Sequence, residues 1–266
     1  MVALLVTKAK QANLALTITE EAYMKLFKII ILSGLSFFPA AKVALAESPT
    51  EVPAPVDKIF VPSGFDDNDN TEVILQGTFR NTCYRVGHAG YAVNEEAKQI
   101  KVWATSYKYD GACAMVMSPF IQVIKLGMLK KGNYSVSYED NNTINRQFTV
   151  KPRNSVSADD YTYAPISTAA ITVDPNTSAQ YLELAGRYPK LENGCFKITE
   201  IRTIRDDADI VVVQPIMDAF EGEACENHQL DFKLSQQLSI PFYGKGLLHV
   251  RVLNGNAKNQ YIEIDQ

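Results

Sequence analysis

From residue 54 onward the chain alternates between apolar and polar positions. Tyr134, Val136 and Tyr138 interleave with Asn133, Ser135 and Ser137, a period of two that marks a strand with one buried face. Similar short runs cover Lys58–Pro62, Glu72–Phe79, Tyr84–Val93, Gln99–Tyr107, Ala114–Ile124, Asn133–Glu139 and Asn145–Val150. Gly, Asn, Asp and Pro separate them, as in Asp110-Gly111 and Asp140-Asn141-Asn142. Further on, Leu248, Val250 and Val252 alternate up to Asn254-Gly255, a strong hairpin signal. Seven strands in about 100 residues predict a two-layer sandwich of immunoglobulin-like size.

The pattern occurs twice. Ala54-Pro55-Val56 recurs as Ala164-Pro165-Ile166, and Val73-Ile74-Leu75-Gln76-Gly77 as Leu182-Glu183-Leu184-Ala185-Gly186. Cys83-Tyr84-Arg85 recurs as Cys195-Phe196-Lys197, and Gly111-Ala112-Cys113 as Gly222-Glu223-Ala224-Cys225. Lys131-Gly132-Asn133-Tyr134-Ser135-Val136 matches Lys245-Gly246-Leu247-Leu248-His249-Val250, and Gln147-Phe148 matches Gln260-Tyr261. Ordered matches at a period of about 110 residues mean two tandem domains rather than a solenoid. The expected organisation is an all-β chain with one sandwich over 47–150, a polar linker over 151–163 and its repeat over 164–266.

The Lys-Gly-x-Tyr/Leu-x-Val stretch, followed by an Asn-rich turn and a last strand, resembles the closing hairpin of bacterial secreted immunoglobulin-like domains. The resemblance implies two tandem immunoglobulin-like β-sandwiches. It stops short of antibody domains, because Trp103, the lone tryptophan, has no counterpart in the second repeat.

The N-terminus bears on compartment. Met24-Lys25-Leu26-Phe27-Lys28 is a short basic segment, Ile29–Ala41 is apolar, and Ala44-Leu45-Ala46 has the small-x-small form of a cleavage site. Residues 1–46 read as an N-terminal extension and signal peptide, with Glu47 first in the mature chain. The apolar run, broken by Pro39 and Lys42, is shorter than the about 20 residues of a spanning helix, so no membrane insertion is expected after cleavage. Residues 1–46 carry five of the 26 basic and two of the 30 acidic side chains, leaving 21 and 28, a net −7. That balance argues against nucleic acid or anionic lipid as the partner of the chain as a whole.

Four cysteines after an export signal read as disulfides. They allow three pairings, of which the duplication selects Cys83–Cys113 and Cys195–Cys225, both spanning 30 positions. Zinc would need closer pairs, and none exists.

Candidate chemistry is sparse. Only His88, His228 and His249 could serve as a catalytic base. His88 lies in Gly87-His88-Ala89-Gly90, a turn or bulge, and His249 alternates with Leu248 and Val250, which predicts a solvent-facing ring. No enzyme and no cofactor are expected. Asp66, Asn68 and Asn70 present oxygen ligands at alternate positions, as Ca²⁺ selects, but Thr71 and Gly77 stand where an EF-hand needs Gly and Glu. Trp103, Tyr107 and Tyr109 share parity with Lys101, and Ile100, Val102 and Ala104 share the other. An outward aromatic row would bind a protein or stack on sugar rings, and the competing expectation is that these aromatics cover the domain–domain junction or pack under a loop. The expectation is therefore a periplasmic or extracellular, non-catalytic binding or structural protein acting on a protein or envelope partner. The alternatives are a glycan-binding module and an inhibitor of secreted proteases.

Overall fold

The computed structural model describes residues 48–139, 141–157, 159–226 and 228–265. The expected signal peptide and the expected start at Glu47 lie outside the described residues.

The first body holds β1 (Thr50–Pro53), β2 (Val56–Phe60), β3 (Thr71–Phe79), β4 (Tyr84–Asn94), β5 (Gln99–Lys108), β6 (Ser118–Gly127), β7 (Gly132–Tyr138) and β8 (Asn141–Val150). The second holds β9 (Ile166–Val173), β10 (Gln180–Arg187), β11 (Cys195–Ile204), β12 (Ile210–Phe220), β13 (Asp231–Gln237), β14 (Gly244–Val252) and β15 (Asn256–Ile264). Each body is a sandwich of two sheets with its own disulfide, Cys83–Cys113 or Cys195–Cys225, at Cα separations of 5.4 and 5.5 Å.

In the first body β4 pairs along one edge of β5. The other edge is shared: β1 runs antiparallel to Thr105–Lys108, and β7 runs parallel to Gln99–Val102 before passing to β8. The facing sheet is β2-β3-β6. The second body repeats this plan as β11-β12-β14-β15 over β13-β10-β9, again with one parallel pair, β12 with β14.

Two glycines show how closely the copies agree. A Cβ on Gly77 would collide with the Pro55 carbonyl and the Phe120 ring, and one on Gly186 with the Pro165 carbonyl and the Phe232 ring. In two places the pairing revises the repeat alignment. Val150 and Ile264 close their strands as equivalents, so Gln147-Phe148 matches Tyr261-Ile262 rather than Gln260-Tyr261. The glycine that opens the preceding strand moves too. Gly132 lies opposite Val150 and Gly244 opposite Ile264, which equates Gly132 with Gly244 rather than Gly246. A shift of two residues leaves parity intact, so alternation alone does not detect it.

Each sandwich has a private core. Val73, Leu75, Ile100, Val102 and Val136 fill the first, and Leu182, Leu184, Val211, Val213 and Val250 the second. A third cluster joins them. Phe60 and Ile74 on the outer face of β2-β3-β6 pack on Ile210, Val212 and Leu247 of β11-β12-β14-β15, with Ile121, Ile204 and Tyr261 at the margin. Residues 48–265 thus stack as four sheets, and β3, β12 and β14 are buried on both faces over most of their lengths.

Polar groups ring this junction. Arg146 reaches Asp209 through two hydrogen bonds of 2.8 and 3.1 Å and pairs with Asp207 at 2.9 Å, while Lys58 also meets Asp209. Burial opposes ionisation of Asp209, but hydrogen bonds from Arg146 and Lys58 outweigh it and hold the carboxyl below its usual range. His249 is a correction to the sequence reading: it is 1% exposed, with Nδ1 3.3 Å from Glu72 and 2.8 Å from Asn259. Its parity does point out of its own sandwich, but the other sandwich covers that face.

Candidate functional site

On β5, Ile100, Val102 and Ala104 are at most 2% exposed. The opposite parity, Lys101, Trp103, Thr105 and Tyr107, lies on the outer face of the sheet, on the side away from the junction. Lys101 is exposed, whereas Trp103 and Tyr107 are half-buried. Tyr109 follows the strand and is exposed, its amide donating to the Cys83 carbonyl at 2.9 Å. The structure thus places Lys101, Trp103 and Tyr107 along one row and Tyr109 beyond its end.

Each half-buried ring rests on β4. Trp103 pairs with Gly90, and three indole atoms lie 2.5–3.0 Å from where a Gly90 Cβ would stand. The ring therefore covers the glycine, a known way of shielding bare backbone in a sheet. Tyr107 packs edge-on against His88, with ring centroids 5.6 Å apart. The ladder between β4 and β5 shifts register between Val86 and Ala89, and bulges of this kind re-aim side chains. Here the bulge turns His88 outward.

His88 Nδ1 lies 3.0 Å from Glu51 Oε1 and 3.0 Å from the Tyr107 hydroxyl, and Thr105 donates to the same carboxylate. Hydrogen bonds from Thr105, then His88, hold the Glu51 carboxyl below its usual range. The His88 side chain is 76% exposed, so water surrounds the imidazole. The group is suited to a polar contact with a partner.

The most exposed apolar segment was hidden in the sequence. The run Ala114–Ile124 reads as one strand, but β6 starts only at Ser118. The residues before it cross the end of the sandwich with Met115, Val116 and Met117 at 80%, 58% and 63% exposure. Cys113 anchors the segment to Cys83. Thr82 amide donates to the Ala114 carbonyl, the Ala114 amide to Thr82 Oγ1, both at 3.0 Å, and the Val116 amide to the Ala114 carbonyl at 2.9 Å. In the second body the chain reaches the matching cysteine through a short 3-10 turn, Gly222–Cys225, and the residues that follow Cys225 are polar, Glu226-Asn227-His228-Gln229, in place of the methionines. The signal available in sequence was a Met-Val-Met run beside a cysteine with no polar alternation.

Asp66, Asn68 and Asn70 are spread apart in role. Asp66 and Asn68 are buried and Asn70 is exposed. Asp66 Oδ1 accepts the Asn68 amide at 3.0 Å, and Asn68 Nδ2 donates to the carbonyls of Ser155 and Ser157 at 3.1 and 2.8 Å. Asp67 holds Arg153 at 2.9 Å, and Asp69 meets Arg251 of the second body at 3.2 Å. The loop thus ties the first body to the linker and to β14. Among the described residues no group of three or more His, Cys, Asp or Glu is placed to share a metal ion.

Residues 73–150, from β3 to the end of β8, match the family model described as the ORF11 beta-sandwich domain. The match covers less than half of the chain. No curated protein and no solved structure matches it.

Proposed function

We propose that this is an exported, non-catalytic binding protein that engages a partner protein of the cell envelope or its surroundings through the first sandwich. One observation carries the reading: Met115-Val116-Met117 is exposed, yet braced by a disulfide and three hydrogen bonds. Apolar side chains held out in water on an ordered loop are what an interface anchor needs, because little conformational freedom is lost on binding. The two disulfides fit an oxidising compartment, and no helix among the described residues is long and apolar enough to cross a membrane. Tyr107, Tyr109 and the His88–Glu51 pair, near the same end of β5, supply the polar rim such interfaces carry.

The test is site-specific photo-crosslinking from position 116 in the native envelope, with position 168 on β9 as control. A discrete adduct from 116 that is absent from 168 supports the reading, and Met115→Asp with Met117→Asp should abolish it at an unchanged melting temperature. Burying a methionine contributes about 1.5–3 kcal/mol, so each substitution should weaken binding roughly ten- to hundredfold. Equal adducts from both positions would refute it.

Glycan binding is favoured by a different observation. Beside Trp103 the outer face continues through Asn133, Ser135 and Ser137 of β7 and Gln147 and Thr149 of β8, a field of hydroxyls and amides. Glycan-array binding lost in Trp103→Ala would shift the reading to that face.

A further inference from the structure

At the other end of β5 and β6 from Met115–Met117, four segments meet: the β2–β3 loop, the β4–β5 turn, the β6–β7 turn and the chain leaving β8. They enclose an open pocket of about 580 Å³ lined by Lys98, Lys130, Lys131 and Arg153, with Met128 on its wall and Asp67 as its one acid. Four cations around a single carboxylate is a marked segregation in a chain of net charge −4.

The cations are not equivalent. Asp67 engages Arg153, and Glu95, outside the pocket, pairs with Lys130. Lys98 and Lys131 form no ion pair among the described residues. Lys98 is the most firmly built of the four. Its φ of +54° is a conformation that Gly or Asn adopts more readily, and such departures gather at ligand sites. Gly132 gives its stem room, with the Lys98 Cε 3.3 Å from where a Cβ would stand. The ammonium lies 4.8 Å from the Tyr134 ring centroid and donates to the Tyr134 hydroxyl at 3.0 Å. That hydroxyl donates in turn to the Lys130 carbonyl at 2.8 Å, and Tyr134 is only 2% exposed. An ordinary solvated lysine has no need of a strained backbone, a glycine beneath it and a buried tyrosine. This one is a fixed positive charge with donors to spare.

We propose that the pocket binds a compact phosphate-bearing anion, with Lys98 and Lys131 as the principal contacts. Phosphate oxygens accept several charge-assisted hydrogen bonds at once, which suits fixed and flexible ammonium groups side by side. The acidic surface elsewhere repels an extended polyanion, so the ligand carries its charge locally. Met128, 69% exposed, offers an apolar contact to whatever the phosphate is attached to. A soluble phosphate ester and a phospholipid headgroup share this chemistry.

The experiment uses the exported protein with pyrophosphate as the probe, by titration calorimetry at low salt. A second arm measures pelleting with phosphatidylglycerol vesicles against phosphatidylcholine vesicles. Pyrophosphate should bind, and Lys98→Gly and Lys131→Gln should each weaken it about tenfold, while Lys233→Gln on β13 leaves it unchanged. Lys98→Gly also separates binding from folding, because glycine relaxes the turn: the melting temperature holds or rises while affinity falls. Binding of pyrophosphate without vesicle pelleting assigns a soluble ligand, and pelleting reversed by pyrophosphate assigns a headgroup. Either result supports the pocket. No binding in both arms, or equal loss in Lys233→Gln, overturns it.

Discussion

Replacing Leu247 by Ala should lower the stability of the sandwich that does not contain it. Leu247 belongs to β14 of the second body, is 0% exposed and packs on Phe60 and Ile74 of the first. Truncating a fully buried leucine costs about 2–5 kcal/mol, through lost transfer energy and the cavity left behind. For a folding unit of this size each kcal/mol lowers the melting temperature by about 2–4 °C, so a fall of roughly 4–20 °C is expected if the bodies unfold together. Trp103 makes the test clean. It is the one tryptophan, and it lies on the outer face of the β5 sheet, outside the apolar cluster that joins the two bodies. Thermal unfolding followed by its emission therefore reports the first body alone, while far-ultraviolet circular dichroism reports both. Coincident curves, displaced together in Leu247→Ala, are the expected outcome. If the dichroism transition moves and the Trp103 transition stays within a degree, the bodies fold independently and the third cluster does not couple them.

Three further outcomes follow from the same contacts. Burial opposes ionisation of Glu72, but His249 and Asn259 outweigh it and hold its carboxyl, like that of Asp209, below the usual range. Such groups stabilise the fold above their unfolded value of about 4 and lose that contribution as pH falls through the lower folded value, so the melting temperature should drop below about pH 4. Glu72→Gln should flatten that dependence, and an unchanged slope would count against the pair. Replacing Cys83 and Cys113 by Ser should destabilise the protein by roughly 3–4 kcal/mol, by chemical denaturation, and replacing Cys195 and Cys225 should cost about as much, since both bridges close loops of equal length. Gly90→Ala places a methyl 2.5 Å from Trp103 Cζ2, so the indole must move. Its emission should shift to the red, and an unaltered spectrum would show that the ring does not rest there.

The sandwiches were legible because their evidence is local: parity, turn residues and equally spaced cysteines. The β5 parity was correct to the residue, with Val102 inward and Trp103 outward. What escaped was everything that depends on a second layer outside a sandwich. Ile210-Val211-Val212-Val213 and Val73-Ile74-Leu75 are unbroken apolar runs, the mark of strands covered on both faces, and they announce the junction in retrospect. The same cover buried His249, whose alternation was read against water. Met115–Met117 escape for the opposite reason: their apolar composition reads as strand, whereas the disulfide and the backbone hydrogen bonds around Ala114 hold those residues out of the ladder. The Lys98 pocket joins four separate segments, a convergence no single stretch of sequence displays.

The junction is a heterologous contact, since the two bodies use different faces of one fold. A contact of that kind between duplicates is open-ended in principle: each molecule would offer both faces again, and copies could add into a fibre. The unused faces show how polymerisation is avoided. Strand pairing equates Ile210, Val212 and Leu247 with Gln99, Lys101 and Ser135 in the first body. It equates Phe60, Ile74 and Ile121 with Ala170, Glu183 and Lys233 in the second. Each greasy surface thus exists in one copy only, and its twin is polar, small or charged. The duplication has diverged so that the apolar surfaces meet each other once, and neither outer surface repeats the residues that make this junction.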